Sequence, residues 1–263
     1  ATREEARAAA GRLLELFAVF PYASQGDRAN AAALLFTPFL RNHRPGPAPL
    51  FMVEAPTPGT GKTLLATSLL EVSSPGIALT GGPSERERGA AEEWEKLLGA
   101  TLSASPSAVL FDNLRGTIES SALEMIVTAT GPVTLRVLGT STTMQVDTTR
   151  TTLAATGNNA EFRQDGARRV VFIRLDAGME DPAAREDFRI PDLLAYIDEN
   201  RADILADVAL VLRAWTLAGC PQGAARKASF NGWAGAVGGL LEFVGVEGFL
   251  TTDADRAAAA DPE

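Results

Sequence analysis

The sequence is poor in the residues on which much enzyme chemistry depends. It holds one cysteine, Cys220, and one histidine, His43. An intrachain disulfide is therefore impossible, and no Cys/His zinc site can be assembled. A Ser-His-Asp or Cys-His nucleophile would have to draw on His43, which lies in the Pro/Arg-rich loop of residues 41–47 and reads as an ordinary surface residue. No apolar run approaches the roughly 18 residues of a membrane span, and residues 2–20 read as a charged amphipathic helix, not as a signal peptide. The lack of disulfide chemistry fits a reducing, cytoplasmic setting. Lysine is scarce as well, occurring only at 62, 96 and 227. With a net charge of −9, composition implies no broad basic face, so any contact with nucleic acid must come from a local feature.

What is present suits a packed protein. A chain of 263 residues, 46% of them hydrophobic, can hold one large α/β domain or a core with a smaller satellite. It opens on Ala1 rather than Met and closes in an Ala/Asp-rich stretch, which predicts a piece of something longer. Apolar positions 10, 13, 14, 17 and 20 make a helical stripe, and a second helix is expected over residues 27–40. A buried strand at 50–53 precedes a helix at 62–71. Further strands are expected at 76–79, 108–112, 150–156 and 170–175, with helices at 84–98 and 120–128. Two short strands around 139–143 should form a hairpin. Strands alternating with helices predict a parallel sheet.

From Pro191 onward the pattern is helical only, with Pro191 suited to a first helical position. One apolar face joins Ile204, Val208, Val211, Leu212 and Trp215. Another joins Phe230, Trp233, Val237, Leu240, Leu241 and Val244, after the cap candidate Ser229. The expected organisation is an N-terminal helical segment (1–48), a nucleotide-binding core (49–180) and a C-terminal helical subdomain (181–263).

One segment carries specific chemistry: Ala55-Pro-Thr-Pro-Gly-Thr-Gly-Lys-Thr63. A phosphate chain needs converging backbone N–H groups, a mobile cation and a hydroxyl for Mg²⁺, set between a strand and the positive end of a helix. Thr57, Pro58, Gly59, Thr60, Gly61, Lys62, Thr63 and Leu64 are the candidate ATP-binding residues. Gly59 and Gly61 let the backbone wrap, Lys62 bridges the β and γ phosphates, and Thr63 ligates Mg²⁺. Pro56 stands where the motif usually has its first glycine, so the loop entry loses one N–H.

Three further positions fit around it. Asp112 ends the strand 108–112, expected to lie next to the P-loop strand, and can hold Mg²⁺. Asn113 follows where a carboxylate base is common; an amide can position water but cannot take its proton, and Glu119 is a second candidate base. Asn158, with Asn159 in reserve, can contact the γ-phosphate from the end of strand 150–156. Arg168 or Arg169, entering strand 170–175, can reach a neighbouring subunit's γ-phosphate. The plain alternatives are a cap for Asp112, an Asn-Asn turn, and a solvated basic strand end.

The order of P-loop, Asp-Asn strand, hairpin, Asn-Asn strand and Arg-Arg strand resembles superfamily-3 helicases of the AAA+ class. More closely, it is similar to the ATPase module of phage and mobile-element primase-helicase proteins. Residues 55–66, 110–113, 154–159, 167–176, 188–196 and 229–233 carry the likeness. It implies an AAA+ P-loop core, ATP and Mg²⁺ as cofactors, a hexameric ring with ATP between subunits, and single-stranded or forked DNA as partner, with a primase or other replication protein alongside. The resemblance places an arginine finger at Arg168. It also implies a DNA-contacting hairpin with a lysine; residues 136–144 here offer only Arg136. The leading expectation is a DNA helicase or translocase. The alternative is an ATP-dependent switch that binds a protein partner without unwinding DNA. A small-molecule kinase is disfavoured, since no second substrate site is apparent.

Overall fold

A computed structural model describes residues 1–83, 90–136, 143–158, 160–162, 164–179 and 188–252. In chain order the elements are α1 (Arg3–Glu15), α2 (Gln25–His43), β1 (Leu50–Glu54), α3 (Lys62–Glu71), β2 (Ala78–Gly81), α4 (Ala90–Leu102), β3 (Ala108–Leu114), β4 (Thr117–Ile118), α5 (Ser121–Thr128), β5 (Val133–Arg136), β6 (Thr143–Val146), β7 (Thr152–Gly157), β8 (Glu161–Phe162), α6 (Gln164–Ala167), β9 (Val170–Arg174), α7 (Leu193–Glu199), α8 (Arg201–Leu217) and α9 (Asn231–Val244).

Five of the strands form one parallel sheet in the order β2-β3-β7-β1-β9. Its central strands are apolar along their length because helices cover both faces: Phe51, Met52 and Val53 of β1 and Val109, Leu110 and Phe111 of β3 are fully buried. Trp94 of α4 packs edge-on against Phe111, with ring centroids 5.4 Å apart. Trp233 of α9 meets Phe51 at 5.8 Å and donates its indole N–H to Thr37 of α2. Each such buried side chain contributes roughly 1.5–3 kcal/mol. The chain has the expected α/β P-loop NTPase fold, with helices before and after the core.

The N-terminal and C-terminal helices pack on each other. α1 starts at a capping box between Thr2 and Glu5 and lies along α8 and α9. Arg12 pairs there with Asp207, and Arg3 Nε donates to the carbonyl of Phe243 at 2.8 Å.

Several expectations are corrected. The Asp112 strand is not beside the P-loop strand, since β7 is inserted between β3 and β1. Pro191 is not the first helical residue: Asp192 caps α7, accepting from the Ala195 N–H at 2.9 Å. Ser229 is not the cap of α9 either. It takes a left-handed φ of 67°, and Phe230 holds the cap position without a side-chain bond. β2 lies two residues later than expected, and of the helix expected over 84–98, residues 84–89 lie outside the described residues. The hairpin forms as β5 and β6, antiparallel with Leu135 opposite Met144; residues 137–142 at its tip also lie outside them.

Candidate functional site

The carboxyl ends of the parallel strands are where an open α/β sheet presents a crevice, and Lys62, Thr63, Asp112, Asn113 and Asn158 lie at that edge. After β1 the chain makes a tight loop in which Gly59 and Gly61 take φ of 76° and 90°, a region open chiefly to glycine. A Cβ on Gly61 would also stand 3.2 Å from the Phe20 ring. Gly61 caps α3 without any side-chain bond, so the first-turn amides, which have no intrahelical acceptor, are left without a side-chain cap as well. Thr60 Oγ1 donates to the Thr57 carbonyl at 2.6 Å, and Lys62 Nζ reaches the same carbonyl at 3.4 Å. Burial pushes the Lys62 ammonium below the ordinary lysine value, while the Asp112 carboxylate pulls it back up.

The hydroxyl of Thr63 donates to Asp112 Oδ1 at 2.7 Å. The same oxygen accepts from Thr156 Oγ1, also at 2.7 Å, and Thr156 Oγ1 in turn accepts from the Asn113 N–H at 2.9 Å. This arrangement needs an irregularity in β3. Phe111 pairs with Ala155 and Leu114 with Gly157, so Asp112 and Asn113 together face the single residue Thr156. Such a bulge re-aims side chains at a strand end, and Asn113 takes it with a left-handed φ of 58°. Asparagine tolerates that region better than most residues.

Asn158 follows at the end of β7, and its Oδ1 is buried with no hydrogen-bond partner among the described residues. Asn159 lies outside them. Glu119 is exposed just beyond β4.

The two arginines lie elsewhere. Leu50 pairs with Val170 and Glu54 with Arg174, so β1 and β9 run together and Arg168 stands at the amino end of β9. At roughly 3.3 Å per residue, about 13 Å of strand separates that end from the loop following β1. The Arg168 side chain is exposed, and Arg169 Nη1 pairs with Glu124 of α5 at 2.5 Å.

Two features escaped sequence reasoning. One is Thr156. The other is an apolar cleft of about 270 Å³ beside the loop, lined by Leu16, Val19, Phe20, Leu64, Ile190 and Leu193. At its rim Arg189 pairs with Glu15 at 2.7 Å. Three distant segments build this cleft, so no local signal marks it.

A divalent cation can be tested against these residues. Among the described residues no cluster of three His, Cys, Asp or Glu side chains forms a metal cage. Mg²⁺ needs none, being usually held by one or two protein oxygens together with substrate phosphates. The hydroxyl of Thr63 and the carboxylate of Asp112 are hard oxygen donors, and the unpartnered Asn158 oxygen lies on the adjoining strand end. The donor set fits.

No protein-family model and no curated protein matches this sequence. Among solved structures it is similar to the apo A form of the NrS-1 C-terminal region (TM-score 0.41, 13% identity, covering 74% of this chain and 48% of that one). It is also similar to JCV helicase with a bound thiazolopyridine phenylacetamide compound (TM-score 0.34, 14% identity, covering 99% of this chain and 70% of that one). The chain thus spans about half the length of the first of these. Both likenesses are distant, and the functional reading rests on the site itself.

Proposed function

We propose that this chain is a Mg²⁺-dependent ATPase that works as a ring-forming DNA helicase or translocase in the replication of a phage or mobile element. The observation that carries the ATPase reading is the 2.7 Å contact of Thr63 with Asp112 at the mouth of a glycine-rich loop that opens α3. Thr63 and Asp112 would hold Mg²⁺, which when bound neutralises phosphate charge. The free amides of α3 and Lys62 bind the phosphate chain, and the apolar cleft at Phe20 and Leu64 takes the base. Asn113 and Asn158 orient the attacking water and the γ-phosphate. The water oxygen bonds to the γ-phosphorus as the bond to the β–γ bridging oxygen breaks and the water's proton passes to an oxygen of the released phosphate, giving ADP and inorganic phosphate.

The ring reading draws on Arg168. Its place at the opposite end of β9 keeps it from its own chain's loop and suits contact with a neighbour's. DNA as partner rests on the order of motifs.

Two measurements test the reading. Lys62→Ala should abolish ATP turnover while circular dichroism and melting temperature stay near wild type; hydrolysis at the wild-type rate would sink the ATPase assignment. Single-stranded DNA should stimulate turnover severalfold. A lack of any stimulation would favour a second reading, an ATP-dependent switch acting on a protein partner. The feature favouring that alternative is Asn113, an amide where a carboxylate would make water attack faster.

A further inference from the structure

The geometry points to Thr156 as a positioning residue that sets both the Asp112 carboxylate and the Asn113 side chain for Mg²⁺–nucleotide binding. This inference rests on the ATPase reading above and adds to it a residue outside the phosphate loop.

A hydroxyl has one proton to donate and two lone pairs to accept with. Thr156 uses its proton on Asp112 Oδ1 and a lone pair on the Asn113 N–H. It is 1% exposed, so water cannot stand in for either bond. Its branched Cβ restricts χ1, so the direction of the hydroxyl is set by β7. Two donors on one oxygen, Thr156 and Thr63, fix the carboxylate's rotation, and among the described residues no hydrogen bond reaches Oδ2. The second bond holds the Asn113 amide in the bulge and with it the left-handed conformation that aims the Asn113 side chain.

The neighbours of Thr156 support a built arrangement. Gly157 must lack a Cβ, since one would lie 2.5 Å from both the Leu114 carbonyl oxygen and Met52 Cε. The end of β7 is thereby pressed against the bulge of β3. Thr152, four residues earlier on the same face of β7, is equally buried, yet its hydroxyl has no partner among the described residues. A threonine in this strand is therefore tolerated as a mere β-former, and the two bonds of Thr156 are a separate property of its position.

The test compares wild type, Thr156→Val and Thr156→Ser in the full chain. Mg²⁺ is titrated against binding of a fluorescent ATP analogue, alongside steady-state kinetics. A hydrogen bond to a charged group is worth about 1.5–3 kcal/mol, or roughly tenfold to 150-fold in an equilibrium constant. The Val variant should need at least about tenfold more Mg²⁺ for half-maximal binding. Its Mg²⁺-free nucleotide binding should be unchanged, and its kcat should fall more than its KM rises. The Ser variant, keeping the hydroxyl, should stay within about twofold of wild type. A Val variant with wild-type Mg²⁺ dependence, or a Ser variant as impaired as Val, would overturn the inference while leaving the ATPase reading intact. If Val does not fold, Thr156→Cys supplies a weak donor in similar volume and must fall between Ser and a complete loss; wild-type behaviour there would overturn the inference too. Wild-type protein that binds no Mg²⁺–nucleotide overturns the functional reading, and this inference with it.

Discussion

Thr63 Oγ1 and Asp112 Oδ1 are 2.7 Å apart although their residues lie on α3 and β3, with β7 between the P-loop strand and β3. The contact forms because both side chains sit at the carboxyl edge of the sheet. Asp112→Asn would keep an oxygen able to accept from Thr63 and Thr156, so the fold should survive. The negative charge would be lost, and with it the charge attraction for Mg²⁺. Turnover should fall by about 10²-fold or more and the Mg²⁺ requirement should rise, with stability within about 1 kcal/mol of wild type. An Asp112→Asn protein with normal Mg²⁺ dependence would remove Asp112 from the metal site.

Asn113 poses the question of the base. Its φ of 58° costs an ordinary side chain roughly 1–2 kcal/mol. Asn113→Glu should therefore lower stability by about 1 kcal/mol while preserving or raising turnover, because a carboxylate can take the water's proton. Asn113→Gly should fold at least as well as wild type yet turn over more slowly, having no side chain to orient water. A large loss of activity in Asn113→Glu would show instead that the amide makes a bond a carboxylate cannot replace.

Arg41 belongs to a stretch that reads as a loop in the sequence, yet it lies in the last turn of α2. Its guanidinium is buried and donates to the carbonyls of Gly46, Thr148, Thr149 and Thr151, tying the loop after α2 to the start of β7. Burial pulls its pKa down to about 10, although Asp147 pulls it back up, so it remains charged at neutral pH. Arg41→Ala would leave several carbonyls without donors, at about 1–3 kcal/mol for each buried one. A drop of at least about 3 kcal/mol in chemical denaturation is expected. Arg41→Lys should recover only part of it, because an ammonium is a point donor and cannot fork to four acceptors. A change under about 1 kcal/mol in Arg41→Ala would mean water replaces the bonds.

Much of this was legible where the signal is local. The helix over Lys62–Glu71 followed from the glycine loop before it, and the apolar strands at 50–54 and 170–174 from their unbroken runs. Strand order was not legible. Nothing in residues 108–114 says that β7 will come between β3 and β1, because pairing is settled by the packing of the whole sheet. Thr156 closes the strand expected over 150–156, but threonine is a common strand former for reasons unrelated to hydrogen bonding. The bulge at Asp112 and Asn113 is a consequence of register between two strands, and the cleft at Phe20, Leu64 and Ile190 a consequence of three segments meeting.

The two adjacent arginines, equivalent candidates in the sequence, differ in their surroundings. Arg169 pairs with Glu124 of its own α5, both side chains about 30% exposed at 27% and 32%. Arg168 is exposed at the amino end of β9, away from its own phosphate loop. If a ring forms through heterologous contacts, in which one face of each subunit meets a different face of the next, Arg168 is the residue placed to serve a neighbour's site. Arg168→Ala should then bind ATP normally and lose turnover by about 10³-fold or more. Arg169→Ala should cost at most about 1 kcal/mol of stability, as expected for a partly exposed ion pair, and much less activity. Mixing Lys62→Ala with Arg168→Ala decides whether the site is shared. At some mixed interfaces an intact loop from the arginine mutant meets an intact Arg168 from the lysine mutant, so activity should partly return although each protein alone is dead. Normal turnover in Arg168→Ala would remove the trans assignment and with it the residue-level support for a ring, leaving a nucleotide site complete within one chain.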